Sequence, residues 1–144
     1  MEFVFELGHK RVVEMDRETG EKIHNTKLLG FFSSEEECRN VIPLYLQQPG
    51  FKNYPEDFVI KKVEADIDDF NDVIGDFKSL LFYSSHEYYD GEFDYITDLG
   101  YYSTYQKAKK SQLKYKREPE FSEHPDGFYI ASFKIGRRGW TAGF

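Results

Sequence analysis

The sequence predicts an α+β protein made of two β-β-α-β units, with a mainly antiparallel sheet, two helices and one shared core. Three observations predict it. The first is repetition. Adding 70 to Leu29, Gly30, Ser33, Tyr45, Pro49, Phe51, Pro55, Phe58 and Ile60 gives Leu99, Gly100, Ser103, Tyr115, Pro119, Phe121, Pro125, Phe128 and Ile130. Phe31 and Phe32 become Tyr101 and Tyr102, which keeps the aromatic positions. Nine identities at one ungapped offset read as a tandem duplication. The second observation is that strand, strand, helix and strand signals follow in the same order in both halves. The third is size: the chain has 144 residues, and each half alone is near the limit for an independent core. The halves are therefore residues 1–76 and 77–144, expected to pack as one globular domain.

Phe3, Phe5 and Leu7 alternate with polar residues from Glu2 to His9, the period of a half-buried strand. Lys10 to Thr26 reads as a long polar connection. Leu28 to Phe32 is a short apolar strand, with Gly30 marking a bulge or a close backbone approach. Ser33-Ser-Glu-Glu36 has the spacing of a capping box, echoed by Ser103-Thr-Tyr-Gln106. Cys38, Val41, Ile42, Tyr45 and Leu46 then form one apolar helical face, with Pro43 predicted to kink it. Pro49-Gly50 ends that helix, and a loop leads to a strand from Phe58 to Ala65.

Asp66 to Asp76 is an acidic joint. The second half repeats the order, with strands over Lys78–His86, Tyr95–Tyr102 and Phe128–Ile135 and a helix over Thr104–Arg117. That helix is more polar than its counterpart, since Ala108, Ser111 and Gln112 stand where Cys38, Val41 and Ile42 do. Its buried stripe is expected to be narrow. The glycine-flanked tail Gly139-Trp-Thr-Ala-Gly-Phe144 is expected to fold back and bury Trp140 against the second unit near Phe82.

Composition bounds the function. One cysteine, Cys38, excludes an internal disulfide and suits a reducing cytoplasm. The start of the chain lacks signal-peptide features, and no apolar run is long enough to span a bilayer, so a cytoplasmic protein without a membrane partner is expected. The net charge is −7. Residues 1–76 carry 9 Lys/Arg against 17 Asp/Glu, whereas residues 77–144 carry 10 against 9. An acidic surface fits nucleic acid poorly and a basic protein partner well.

Candidate chemistry is sparse. The four histidines, His9, His24, His86 and His124, have no second histidine or cysteine at metal-ligand spacing, and Cys38 falls on an apolar helical face. The aspartates of Asp66 to Asp76 lack the glycine and distal glutamate of a calcium loop. Phosphate-binding glycine motifs and a nucleophile elbow are missing from the sequence. No cofactor, metal site or catalytic residue is expected, and the chain does not read as an enzyme. One stretch stands apart, Glu87-Tyr-Tyr-Asp-Gly-Glu-Phe-Asp-Tyr95, which interleaves aromatics with acids. Two readings compete: a hairpin around Asp90-Gly91 whose aromatics alternate into the core, or an interaction surface.

Leu28-Leu-Gly-Phe-Phe-Ser-Ser34, followed by Pro49-Gly-Phe-Lys-Asn-Tyr-Pro-Glu-Asp-Phe58 and Trp140-Thr-Ala-Gly-Phe144, resembles a small uncharacterised bacterial α+β domain family, here in two tandem copies. The second copy departs from it at Pro119-Glu120, where the pattern has Pro-Gly. That family carries no established reaction, so the resemblance implies no catalytic residue. In kind, the chain also resembles bacterial immunity proteins that neutralise secreted toxins. The expected function is accordingly a non-catalytic binding protein of the immunity type, which inhibits a cognate and nuclease-like toxin. Its candidate partner-binding residues are Glu87, Tyr88, Tyr89, Asp90, Glu92 and Asp94, with Asp66, Asp68 and Asp69 of the joint. The alternative is a cytoplasmic adaptor or sensor that binds a small ligand or peptide between its halves.

Overall fold

A computed structural model describes residues 2–66 and 80–142. The protein is α+β, with six strands and four short helices among those residues. The elements are β1 (Glu2–Met15), β2 (Lys22–Phe32), α1 (Glu35–Tyr45), α2 (Pro49–Lys52), β3 (Phe58–Ala65), β4 (Leu80–Tyr89), β5 (Asp94–Tyr102), α3 (Tyr105–Tyr115), α4 (Pro119–Ser122) and β6 (Phe128–Lys134). A single 3-10 turn, Pro125–Gly127, precedes β6. The strands hydrogen bond in the order β2-β1-β3-β5-β4-β6. The β1–β2, β4–β5 and β4–β6 pairs are antiparallel, and β3 meets β5 in parallel at Ala65 and Tyr101.

Local chemistry explains the repeated elements. Ser34 caps α1 by accepting from the Glu37 amide at 3.1 Å, while Glu37 reaches back to the amide and hydroxyl of Ser33. Thr104 caps α3 through the Lys107 amide in the same way. Both caps lie one residue later than the spacing predicts, because either of two adjacent hydroxyl residues can take that position. Pro49 and Pro119 each begin a further short helix, the first of them where the sequence predicts a loop, since proline at the first helical position loses no hydrogen bond. The bulge expected at Gly30 is present. The register slips between Leu7 and Gly8, Gly30 has φ 154°, and a Cβ there would lie 2.7 Å from the Arg137 carbonyl oxygen.

The first hairpin differs from the expectation. Lys10 to Thr26 is not a loose connection, because the β1–β2 ladder continues to Met15 opposite Lys22. Its outer part is exposed on both faces, so it carries no apolar alternation to announce a strand.

The residues cluster into two compact units: Val4–Val63 with Gly136–Phe144, and Met1–Phe3 with Glu64–Ile135. The first is built on Leu7, Leu29, Phe32, Cys38, Tyr45 and Phe51, flanked by Phe5, Val41, Ile42, Phe58 and Ile60. The chain's tail belongs to this unit. The Gly139 amide donates to the Leu29 carbonyl at 2.7 Å, the Tyr45 hydroxyl donates to the Gly139 carbonyl at 2.7 Å, and Gln48 Nε2 donates to the Trp140 carbonyl at 3.0 Å. Trp140 itself stays 48% exposed, with the Lys27 ammonium 5.1 Å from its ring centre. The tail is thus tied down by its backbone, and the expected burial of Trp140 near Phe82 does not occur. Phe144 lies outside the described residues.

In the second unit, α3 buries Lys107, Ala108, Ser111 and Gln112. The stripe is polar rather than narrow. The Ser111 and Tyr102 hydroxyls meet at 2.6 Å, and Gln112 Nε2 donates to Ser84 Oγ and the Tyr129 carbonyl, both at 3.0 Å. Buried polar groups are tolerated when they satisfy one another. This pairing lets a helix of low hydropathy pack without a broad apolar face.

Candidate functional site

Two elements of the second unit build the candidate site: the end of β4, and the segment from α4 into β6. His86 on β4 joins them. It is buried against Phe121 and Phe128, whose ring centres lie 4.8 and 4.7 Å away. Its Nε2 lies 2.9 Å from the His124 carbonyl oxygen. A carbonyl only accepts, so Nε2 carries the proton. Gly127 completes the join, because a Cβ there would lie 2.5 Å from the Glu87 carbonyl oxygen and 2.8 Å from His86 Nε2. Only glycine lets the segment come this close to β4.

The result is an open pocket of about 300 Å³ lined by Glu87, Tyr88, Glu123, His124, Pro125, Asp126 and Gly127. One wall is an aromatic column. The Tyr88 ring stacks on His124 at 3.8 Å and 6°, and on Tyr95 at 4.8 Å and 14°. Glu87, Glu123 and Asp126 are exposed, and no ion pair to them is formed among the described residues.

The candidate residues separate into three groups. Glu87 and Tyr88 line the pocket. Tyr89, Asp90, Glu92 and Asp94 form the adjoining hairpin end. There Asp90 accepts from the amides of Glu92 and Phe93 at 2.8 and 2.7 Å, and these bonds hold its carboxyl below the usual carboxylate range. A bond to Asp90 raises the Tyr95 phenol in turn. The aromatics of this hairpin do not alternate into the core, since Tyr89, Phe93 and Tyr95 are 64%, 58% and 42% exposed. That overturns the core reading of Glu87 to Tyr95.

Asp66 is elsewhere and otherwise engaged. It accepts from the Ser103 amide at 2.8 Å and hydroxyl at 2.6 Å, and pairs with the Lys107 ammonium at 3.3 Å. Asp68 and Asp69 lie outside the described residues. Glu123, His124 and Asp126 were not singled out from the sequence. A signal existed: at the offset of 70, Tyr54 becomes His124 and Asp57 becomes Gly127.

Cys38 is fully buried, and burial, helped by Glu37 and Glu35, pushes its thiol up to about 11. The thiolate fraction at pH 8 falls about 100-fold against an ordinary cysteine. Alkylation by iodoacetamide at pH 8 is therefore expected to be at least about 100-fold slower in the folded protein than in denaturant. Equal rates would place Cys38 at the surface. Among the described residues, no group of three or more His, Cys, Asp or Glu is arranged to hold a metal ion. No helix there is long and apolar enough to cross a membrane.

The chain matches no protein-family model, no curated protein and no solved structure at a significant level.

Proposed function

We propose that this chain is a non-catalytic binding protein of the immunity type, which occludes the cationic cleft of a basic, nuclease-like toxin. One observation carries the reading: the acidic pocket of Glu87, Glu123 and Asp126 lies beside a hairpin end whose Tyr89, Phe93 and Ile96 face solvent. Exposed apolar and aromatic side chains rimmed by carboxylates are the composition of an anchor with a steering field. The carboxylates of such a face take the place of substrate phosphates, and the aromatics supply contact area. The resemblance in kind to immunity proteins supports the same reading, as does the net charge of −7. The matching elements at an offset of 70 support a tandem duplication as the origin of the chain.

Co-expression with the product of the adjacent gene tests this. That product is expected to be toxic alone, to be neutralised by this chain, and to form a complex whose association slows as salt rises. Reversing Glu87 and Asp94 to lysine is expected to slow association about tenfold or more. A harmless neighbour that forms no complex overturns the proposal.

A further inference from the structure

Each half of the chain passes the end of its last strand to the unit built on the other half. The first unit takes in Gly136 and the residues after it, and the second takes in the chain from Glu64 onward. The two crossings match at the offset of 70. Asp66, after β3, donates its amide to the Tyr101 carbonyl at 2.8 Å, and Gly136, after β6, donates to the Phe31 carbonyl at 2.7 Å. Both have positive φ, 57° and 89°.

The side chains at the two crossings differ, and the differences compensate. Ser33 and Ser103, just ahead of α1 and α3, each give an amide and a hydroxyl to one carboxylate. In the first unit Glu37 of α1 supplies it, at 3.2 and 2.6 Å, and the incoming residue is the glycine. In the second the incoming Asp66 supplies it, at 2.8 and 2.6 Å. There Lys107 of α3 stands in the place of Glu37, and its ammonium lies 3.3 Å from Asp66. A Cβ on Gly136 would lie 3.6 Å from Glu37 Oε1, so a side chain has room, and a carboxylate there would meet Glu37.

We infer that Glu37 with Gly136, and Lys107 with Asp66, are two unlike matched pairs that direct the strand end of each half to the other half and turn away a second copy of itself. If residues 1–76 paired with their own copy, Asp66 would arrive beside Glu37, where Ser33 already has its carboxylate. Like charges so placed repel. If residues 77–144 paired with their own copy, Gly136 would arrive beside Lys107. An ammonium whose side chain is only 9% exposed would then lose its carboxylate. Only the unlike pairing gives each helix start one carboxylate and the buried cation its counter-charge. The partner this surface fits is the complementary half, in the same chain or in a separate one. That property is independent of the toxin partner proposed above.

Two double-mutant cycles on the full chain test the matching by urea unfolding. Glu37→Lys with Gly136→Asp gives the first unit the pair found in the second, and Lys107→Glu with Asp66→Gly does the reverse. In each cycle the double variant's unfolding constant should rise at least about tenfold less than the product of the two single effects. Backbone strain from aspartate at position 136 enters the single and the double variant alike, so it cancels. Additive effects in either cycle would overturn the matching.

Pairing between separate halves is read from a full chain with a protease recognition sequence inserted between Asp76 and Phe77, outside the described residues. The folded chain is cut, unfolded in urea and refolded, and its species are counted by native mass spectrometry. The unlike pair should exceed either like pair at least about tenfold. With Glu37→Lys/Gly136→Asp both halves carry the same pair, so like pairs should rise at least about tenfold. Abundant like pairs without the substitutions, or no rise with them, would overturn the pairing rule. If the cut chain does not refold, the two cycles decide alone.

Discussion

Replacing Phe51 with alanine is expected to destabilise the first unit by about 4 kcal/mol, within the range for removing a fully buried aromatic ring. Phe51 has no exposed surface, and its ring meets His9, Tyr45 and Phe58 at 5.0, 5.2 and 5.9 Å. Two contributions add: the lost transfer of a large apolar ring, and a cavity that neighbours held by hydrogen bonds cannot collapse into. Tyr45 is held by the Leu29 and Gly139 carbonyls and His9 by the Tyr54 carbonyl, so neither can swing inward cheaply. The midpoint of thermal unfolding should fall by roughly 12 °C. Two compact units need not melt together, so resonances of Leu7 and Tyr45 should be followed as well as global circular dichroism. A loss below about 1.5 kcal/mol would show that the site relaxes, and would remove Phe51 from the centre of this core.

Such positions were legible because they repeat: Phe51 and Phe121 occupy one frame, and the bounds of β3, Phe58 to Ala65, follow directly from the sequence pattern. Periodicity reports burial, and it failed wherever burial and secondary structure part company. The outer β1–β2 ladder has no core face, so backbone pairing holds it without an alternation to read. The α3 stripe is buried but polar, and no hydropathy pattern shows that Ser111 will meet Tyr102 or that Gln112 will meet Ser84.

The site was half legible for a similar reason. Glu87 and Tyr88 lie in a conspicuous stretch, whereas Glu123, His124 and Asp126 reach it only through the His86 hydrogen bond and the close approach of Gly127. The acidic joint shows the converse failure. Charge alone suggested a partner surface at Asp66, yet the fold spends that carboxylate on a helix start.

Asp66→Ala is expected to cost about 3 kcal/mol or more, a large effect for a residue at the end of a strand. The side chains of Asp66 and Lys107 are only 11% and 9% exposed, and their separation is 3.3 Å. Removing the carboxylate leaves the Lys107 ammonium largely buried with the Ser103 hydroxyl, at 3.3 Å, as a neutral partner. It also strips the Ser103 amide of its acceptor and places alanine at φ 57°, a conformation that aspartate tolerates better.

Three substitutions separate these contributions. Asp66→Gly, measured against Asp66→Ala, isolates the backbone strain, and Asp66→Asn keeps an acceptor but removes the charge. Asp66→Ala with Lys107→Met removes the buried charge that the single variant strands. The double variant should recover at least about 1.5 kcal/mol over Asp66→Ala, because the cost of breaking such a pair is mostly that of the partner left behind. Additive effects of Asp66→Ala and Lys107→Met would mean that the ammonium escapes to solvent. In that case Asp66 would be no more than a helix cap, and its loss should fall to about 1 kcal/mol.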